Sequence, residues 1–146
     1  MSSVVMTREE REAFLSEVHI GVMAVERPGR APLSVPVWYD YTPGGDLIVL
    51  VNNDSLKYGL IRAAGRLTLV VQQEEAPYKY VSVEGPVVSG ADEVPSDEVS
   101  MRVVGRYMDE PDARKYVDEA LAHGRARLIR VRTEHWLSND QNKAEA

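Results

Sequence analysis

Residues 47–57 read Leu-Ile-Val-Leu-Val-Asn-Asn-Asp-Ser-Leu-Lys, and the rest of the chain is interpreted outward from this stretch. Its first five residues are apolar and rich in β-branched side chains, which predicts a buried strand over 47–51. Asp54 and Ser55 are N-cap formers, and residues 55–65 predict a short helix with Gly65 at its C′ position. The stretch is therefore a buried strand that ends in a polar turn and opens a helix.

The remaining elements alternate around this junction. Five further strands are predicted at 19–25, 32–41, 67–72, 78–88 and 125–132. Helices are predicted at 7–17, where Thr7 and Glu10 form a capping box, and at 99–108 and 111–122. Tight turns join most strands, so we expect a mainly β fold, a small antiparallel barrel of six strands with flanking helices. Gly85-Pro86 predicts a bulge or an edge, and residues 138–146 are polar and expected to fray.

Composition narrows the function classes. The chain has 146 residues, enough for one domain, and no cysteine, which excludes disulfides, thiol nucleophiles and iron–sulfur clusters. Its net charge of −6 argues against nucleic-acid binding, which needs a basic face. It contains no apolar run long enough for a transmembrane helix and no signal-peptide pattern at the N-terminus. We therefore expect a cytoplasmic protein.

No catalytic constellation is visible in the sequence. The three histidines, at 19, 123 and 135, lack the spacing of metal ligands, so no metal site is predicted. There is no Gly-x-Ser-x-Gly elbow, no P-loop and no Gly-x-Gly-x-x-Gly after a strand. Catalytic residues are therefore left unassigned.

Two stretches have both a functional and a structural interpretation. The helix N-terminus at Ser55, with Lys57 in its first turn, is suited to hold a phosphate, but ordinary capping with an exposed Lys57 explains the same residues. Arg62 and Arg66 either lie near this phosphate-binding position or are exposed to solvent. The aromatic strand 35–41, which includes Trp38, forms either a wall for a planar ring or part of the core.

The ordered set Pro32-x-x-x-Pro36-Val37-Trp38-Tyr39, Gly45-Asp46-Leu47, Ser55-x-Lys57 and Tyr80-Val81-x-Val83-Glu84-Gly85 resembles a known family. It is the flavin and deazaflavin split-barrel family named after pyridoxamine 5′-phosphate oxidase, and the resemblance covers residues 7–137. It implies a single split-barrel domain over 1–137, followed by a polar tail at 138–146. It also implies a homodimer with two cofactors in grooves at the dimer interface.

The resemblance also implies site residues. Ser55 and Lys57 match the phosphate-binding turn of the family. The residues expected along the cofactor ring are Val35, Pro36, Val37, Trp38, Val51 and Asn52. Strand residues expected to approach the cofactor are Gln72 and Gln73, and those expected on the partner side are Tyr78, Tyr80 and Trp136.

Departures from the family pattern favour one cofactor over another. Leu56 stands where FMN binders of the family often carry arginine, and no Arg-x-His follows Trp136, so pyridoxamine phosphate oxidation is not expected. F-420 spreads its charge over a phosphodiester and a glutamate tail, which Arg62 or Arg66 would contact. The sequence thus predicts an F-420-dependent reductase of a small organic acceptor. The alternatives are an FMN-dependent oxidoreductase, a non-catalytic cofactor- or haem-binding protein, or a dimer with an empty groove.

Overall fold

In the computed structural model, which describes residues 3–144 apart from the Ser89 side chain, the chain folds into one curled antiparallel sheet with flanking helices. The α-helices are α1 (Arg8–Ser16), α2 (Leu56–Ala64), α3 (Asp97–Val104) and α4 (Asp112–His123). The strands are β1 (Gly21–Val25), β2 (Leu33–Val37), β3 (Tyr39–Tyr41), β4 (Leu47–Asn52), β5 (Arg66–Gln73), β6 (Lys79–Glu93), β7 (Ala126–Val131) and β8 (His135–Asp140). A 3₁₀ helix, Gln141–Ala144, follows β8.

The order of the strands explains why the sheet curls. Neighbours run β2-β1-β5-β6-β7-β4-β3, and β8 pairs with the first half of β6. The two end strands, β2 and β3, are separated in the chain by Trp38 alone. Because one residue joins the two ends of the order, the sheet must bend back on itself into an open barrel. The predicted mainly β, antiparallel split-barrel class is confirmed.

Alternation along the strands fills the interior of the barrel. Met23, Leu69 and Val81 are fully buried on three adjacent strands, whereas their chain neighbours face outward. Helix α1 contributes Phe14 and Leu15 to the same core, and helix α2 contributes Tyr58 and Ile61. Burying such side chains is the main favourable term in folding.

The α3–α4 hairpin packs separately from this core. Its own cluster consists of Val104, Ala113 and Val117, with Trp38, Met101, Met108 and Leu121 packed around it. Of these residues only Trp38 belongs to the barrel, so this indole connects the hairpin to the sheet.

Several local predictions are confirmed. Thr7 accepts a hydrogen bond from the Glu10 amide (3.2 Å), and the Glu10 carboxylate accepts one from the Thr7 amide (2.8 Å), which is the predicted capping box. Ser55 caps α2, and Gly65 ends it with φ 69°, a conformation that glycine adopts without strain. No helix among residues 3–144 is both long enough and apolar enough to span a membrane.

Other boundaries differ from prediction. Within residues 3–144 there are eight strands rather than six, because the segment 32–41 divides at Trp38 to pair with β1 on one side and β4 on the other, and because β8 was not predicted. Residues 138–140 are paired with β6 instead of frayed. Strand β6 continues to Glu93, with its irregularity between Val88 and Glu93 rather than at Gly85-Pro86. Helix α3 ends at Val104, four residues before its predicted end.

Candidate functional site

A cavity of about 360 Å³ lies between the sheet and the α3–α4 hairpin. Its floor includes Leu50 and Asn52 on β4, which alternate with the buried Val49 and Val51, and Ala126, which pairs with Asn52. The full lining is Ile20, Pro36, Val37, Trp38, Leu50, Val51, Asn52, Lys57, Ser100, Val103, Val104, Tyr116, Val117, Ala120 and Ala126. This volume is in the range of small-molecule sites.

Aromatic side chains form one wall of the cavity. The Trp38 indole stacks on the Tyr107 ring, with 5.0 Å between centroids and 9° between planes. The Tyr116 ring lies 5.6 Å from the indole at 45°. One face of Trp38 is therefore occupied within the chain, and the wall available to a ligand is formed by Trp38 and Tyr116 together.

The roof of the cavity is apolar. The cavity is lined on this side by two residues of α3, Val103 and Val104, and two of α4, Val117 and Ala120. The Ser100 hydroxyl of α3 already donates a hydrogen bond to the Ser96 carbonyl (2.8 Å). A ligand under the hairpin thus meets mostly hydrocarbon, which favours an uncharged ring.

Among residues 3–144, Lys57 is the one charged residue that lines the cavity, and it lies in the first turn of α2. It is half-buried, and within residues 3–144 its ammonium has no ion pair or hydrogen bond. The first turn of α2 contains no acidic residue, and the nearby Asp54 pairs with Arg125 (3.3 Å). An unneutralised cation beside a helix N-terminus attracts an anionic group.

The structure brings together six of the predicted site residues: Pro36, Val37, Trp38, Val51, Asn52 and Lys57. Ser55 is adjacent but committed to the cap: its hydroxyl accepts from the Tyr58 amide (3.3 Å) and donates to the Asn52 carbonyl (2.6 Å). Val35 packs against the barrel core. It is not among the residues that line the cavity.

The remaining predicted residues lie outside the cavity lining. Arg62 pairs with Asp92 (3.3 Å), and Gln73 donates hydrogen bonds to the Glu75 and Pro77 carbonyls. Gln72 and Tyr78 are exposed. Trp136 packs within its own chain, edge-on to Tyr41 and beneath the Arg11 guanidinium, and Tyr80 lies on β6 opposite Gln72.

Arg66, a second candidate for an anionic tail, lies in a different groove. That groove has a volume of about 590 Å³ and contains Glu26, Glu84, Glu134 and His135. Arg66 donates to the Glu26 carboxylate (2.9 Å), so its charge is neutralised there. Among residues 3–144, no three histidine or acidic side chains come together as candidate metal ligands.

Sequence reasoning missed the hairpin side of the cavity. It identified apolar positions such as Val103, Val104, Tyr116 and Val117 as the faces of two helices, which is correct. An apolar helix face shows that the helix packs on something, but not on what. Ile20, which precedes β1 and is 53 % exposed at the cavity, carried no signal of its own.

Solved structures with this architecture cover most of the chain. A conserved hypothetical protein from Mycobacterium tuberculosis matches with a TM-score of 0.81 and 20 % identity, over 100 % of this chain and 92 % of that one. An F-420 reductase matches with a TM-score of 0.68 and 24 % identity, over 86 % and 94 %. A candidate pyridoxamine 5′-phosphate oxidase from Listeria innocua matches with a TM-score of 0.63 and 10 % identity, over 90 % and 96 %. The chain has the split-barrel fold of the pyridoxamine 5′-phosphate oxidase-like proteins.

No protein-family model and no curated protein matches the sequence. At these identities the likeness establishes the split barrel and nothing about its ligand, because one fold supports several chemistries. The chemistry of this split barrel has to be argued from its cavity.

Proposed function

We propose that this chain is an oxidoreductase that binds F-420 in the cavity beneath the α3–α4 hairpin and reduces a small organic acceptor. The observation that carries the proposal is Lys57, a half-buried cation without a partner among the described residues, at the edge of an apolar and aromatic cavity. A ligand that fits has a planar apolar body and an anionic extension, as flavins and deazaflavins do. The F-420 reductase among the structural matches supports the same class.

The residues of the chain have binding and shielding roles in this proposal. Lys57 and the free amides of the first turn of α2 hold the phosphate group. Trp38, Tyr116 and the valines of the roof contact the ring and exclude water. Bound F-420 would supply the hydride, so no side chain has to act as a nucleophile.

F-420 is favoured over FMN because of what surrounds Lys57. A phosphate monoester is bound more tightly when an arginine donates two hydrogen bonds to it. The residue next to Lys57 is instead Leu56, which is 63 % exposed. F-420 carries its negative charge on a phosphodiester and a glutamate tail, so its binding depends less on a single phosphate-binding site. The Arg62 and Arg66 contacts to such a tail would have to compete with Asp92 and Glu26.

We further propose that a second copy of the chain covers the mouth of the cavity. A mostly apolar row of directly opposed residues crosses five strands on the face of the sheet away from the core. It consists of Pro36, Val22, Val70, Ser82 and Leu137. Val22 is 39 % and Leu137 62 % exposed, and Pro36 belongs to both the row and the cavity lining. Exposed apolar rows of this kind mark interfaces.

A parallel titration tests the cofactor proposal. F-420 and FMN are added to the apo protein while tryptophan fluorescence is followed, at low and at high salt. We expect F-420 to bind more tightly, and binding to weaken with salt because the contacts are ionic. FMN binding tighter by tenfold, about 1.4 kcal/mol, would reverse the preference and favour the FMN alternative.

Two further measurements separate the remaining alternatives. Oxidation of reduced F-420 by a panel of quinone and enone acceptors distinguishes an enzyme from a protein that only binds the cofactor. Light-scattering mass of the wild type and of Val22→Glu tests the dimer: we expect a dimer that the charged variant dissociates. A monomeric wild type at micromolar concentration would contradict the shared groove.

A further inference from the structure

We propose that Tyr107 is a positioning residue that holds Trp38 and the mouth of the cavity in place. Tyr107 follows α3 and is absent from the cavity lining. Its influence therefore has to pass through other residues. The expected effect on ligand binding rests on the proposed function, whereas the effect on the orientation of Trp38 does not.

The ring of Tyr107 fixes the orientation of the Trp38 indole. The two rings are nearly parallel, 9° apart, at 5.0 Å between centroids. Trp38 packs with the hairpin cluster and not with the barrel core, so the barrel does not constrain the indole on this side. Stacking on Tyr107 thus holds the Trp38 indole in the way that core contacts hold most buried aromatic side chains.

The hydroxyl of Tyr107 connects the segment before β1 to the start of β3. It donates a hydrogen bond to the His19 carbonyl (2.6 Å) and accepts one from the Tyr39 amide (3.3 Å). His19 directly precedes Ile20, and Tyr39 directly follows Trp38, and both Ile20 and Trp38 line the cavity. One side chain therefore fixes the backbone beside two residues of the cavity lining, Ile20 and Trp38.

The backbone of Tyr107 is itself anchored. Its amide donates to the Val104 carbonyl (3.0 Å), which ties it to the end of α3. The preceding residue, Arg106, donates to the Glu17 carbonyl (2.8 Å) and to the Asp40 carboxylate (3.4 Å). These contacts give Tyr107 a rigid base from which to position Trp38.

Fluorescence of Trp38 tests the proposal in the apo protein. The chain has two tryptophans, so Trp136→Phe leaves Trp38 as the single emitter. In that background we expect Tyr107→Leu to shift the emission to longer wavelength and to increase quenching by acrylamide. Tyr58→Phe, which removes another interelement hydroxyl contact, that of Tyr58 with Asp92 (2.9 Å), is the matched control and should leave Trp38 unchanged.

Ligand affinity gives the second readout. If the stack is what holds the indole, Tyr107→Leu should weaken binding of F-420 or FMN by about threefold to tenfold, the value of one aromatic pair. If neither cofactor binds the wild type, the proposed function fails while the apo fluorescence still decides the role of Tyr107. Unchanged emission and quenching in Tyr107→Leu would overturn the inference.

Tyr107→Phe keeps the proposal testable should the leucine variant not fold. It retains the stacked ring and removes the hydroxyl contacts with His19 and Tyr39. We expect faster hydrogen exchange in the segment 37–41, where the Tyr39 amide loses its acceptor, and unchanged exchange in the α2 segment 56–64. Equal exchange of 37–41 in wild type and Tyr107→Phe would show that the hydroxyl does not hold the cavity mouth.

Discussion

The backbone of Gly85 on β6 touches the carbonyl of Arg132 so closely that a Cβ on Gly85 would lie 1.7 Å from the Arg132 oxygen. Two hydrogen bonds flank this contact, from the Arg132 amide to the Pro86 carbonyl (3.0 Å) and from the Glu134 amide to the Glu84 carbonyl (2.9 Å). The connection between β7 and β8 therefore packs directly against the backbone of Gly85, and only glycine leaves room for this contact.

Gly85→Ala should accordingly destabilise the protein by about 3 kcal/mol, because backbone atoms have to move to admit the methyl group. Gly59→Ala is the matched control. Gly59 is exposed in α2 with nothing within 4 Å of its added Cβ, so alanine there should stabilise by about 1 kcal/mol. Urea unfolding of both variants measures the two effects, and equal stabilities for Gly85→Ala and wild type would contradict the close approach.

Lys57→Ala should weaken cofactor binding by about 1.5–3 kcal/mol, the value of a charge-assisted hydrogen bond. The melting temperature of the apo protein should hardly change, since Lys57 has no partner to lose among the described residues. Lys115→Ala removes an equal charge from the exposed surface of α4 and serves as control. An unaltered dissociation constant for both FMN and F-420 in Lys57→Ala would remove Lys57 from the site.

Asp40→Ala should destabilise the fold by about 3 kcal/mol, because it leaves a half-buried arginine without its counter-charge. Asp40 is 7 % exposed and pairs with Arg102 (3.1 Å) and Arg106 (3.4 Å). Asp118→Ala, which breaks an exposed pair with Arg114, should cost far less, because water screens that pair. Thermal or chemical unfolding distinguishes the two, and a similar small loss for both variants would mean that the Asp40 pairs are as weak as surface pairs.

Glu10 should make stability depend on pH in the acid range. A hydrogen bond from Lys143, and another from the Thr7 amide, lower the pKa of Glu10 from 4.5 to about 2. The carboxylate is thus favoured by the folded state, and its stabilisation is complete above about pH 4.5 and lost as the pH falls toward 2. The difference in melting temperature between wild type and Glu10→Gln should shrink over this window.

Glu9→Gln is the control for that titration, since Glu9 lies in the same first turn of α1 and no hydrogen bond or ion pair involves its side chain within residues 3–144. It should show a smaller dependence over the same window. A Glu10→Gln difference that is constant from neutral pH to pH 3 would contradict the lowered pKa.

Local chemistry made several features predictable. The capping box at Thr7, the cap at Ser55 and the left-handed Gly65 depend on residues within four positions along the chain, so their energies are encoded in short patterns. The apolar run 47–51 and the hairpin turns around it were sufficient to indicate an antiparallel barrel. The family resemblance then pointed to Trp38, Asn52 and Lys57, which the fold brings to one cavity.

The sequence by itself thus determined the antiparallel, mainly β class, the buried strand at 47–51 and the caps at Thr7, Ser55 and Gly65. Only the tertiary structure decided which cations are neutralised: Arg62 meets Asp92 and Arg66 meets Glu26, whereas Lys57 faces a cavity. It also decided that the α3–α4 hairpin roofs that cavity and that Trp136 packs on Tyr41. These contacts join residues 30 or more positions apart, and a long-range contact depends on the path of the whole chain rather than on the pattern around either residue.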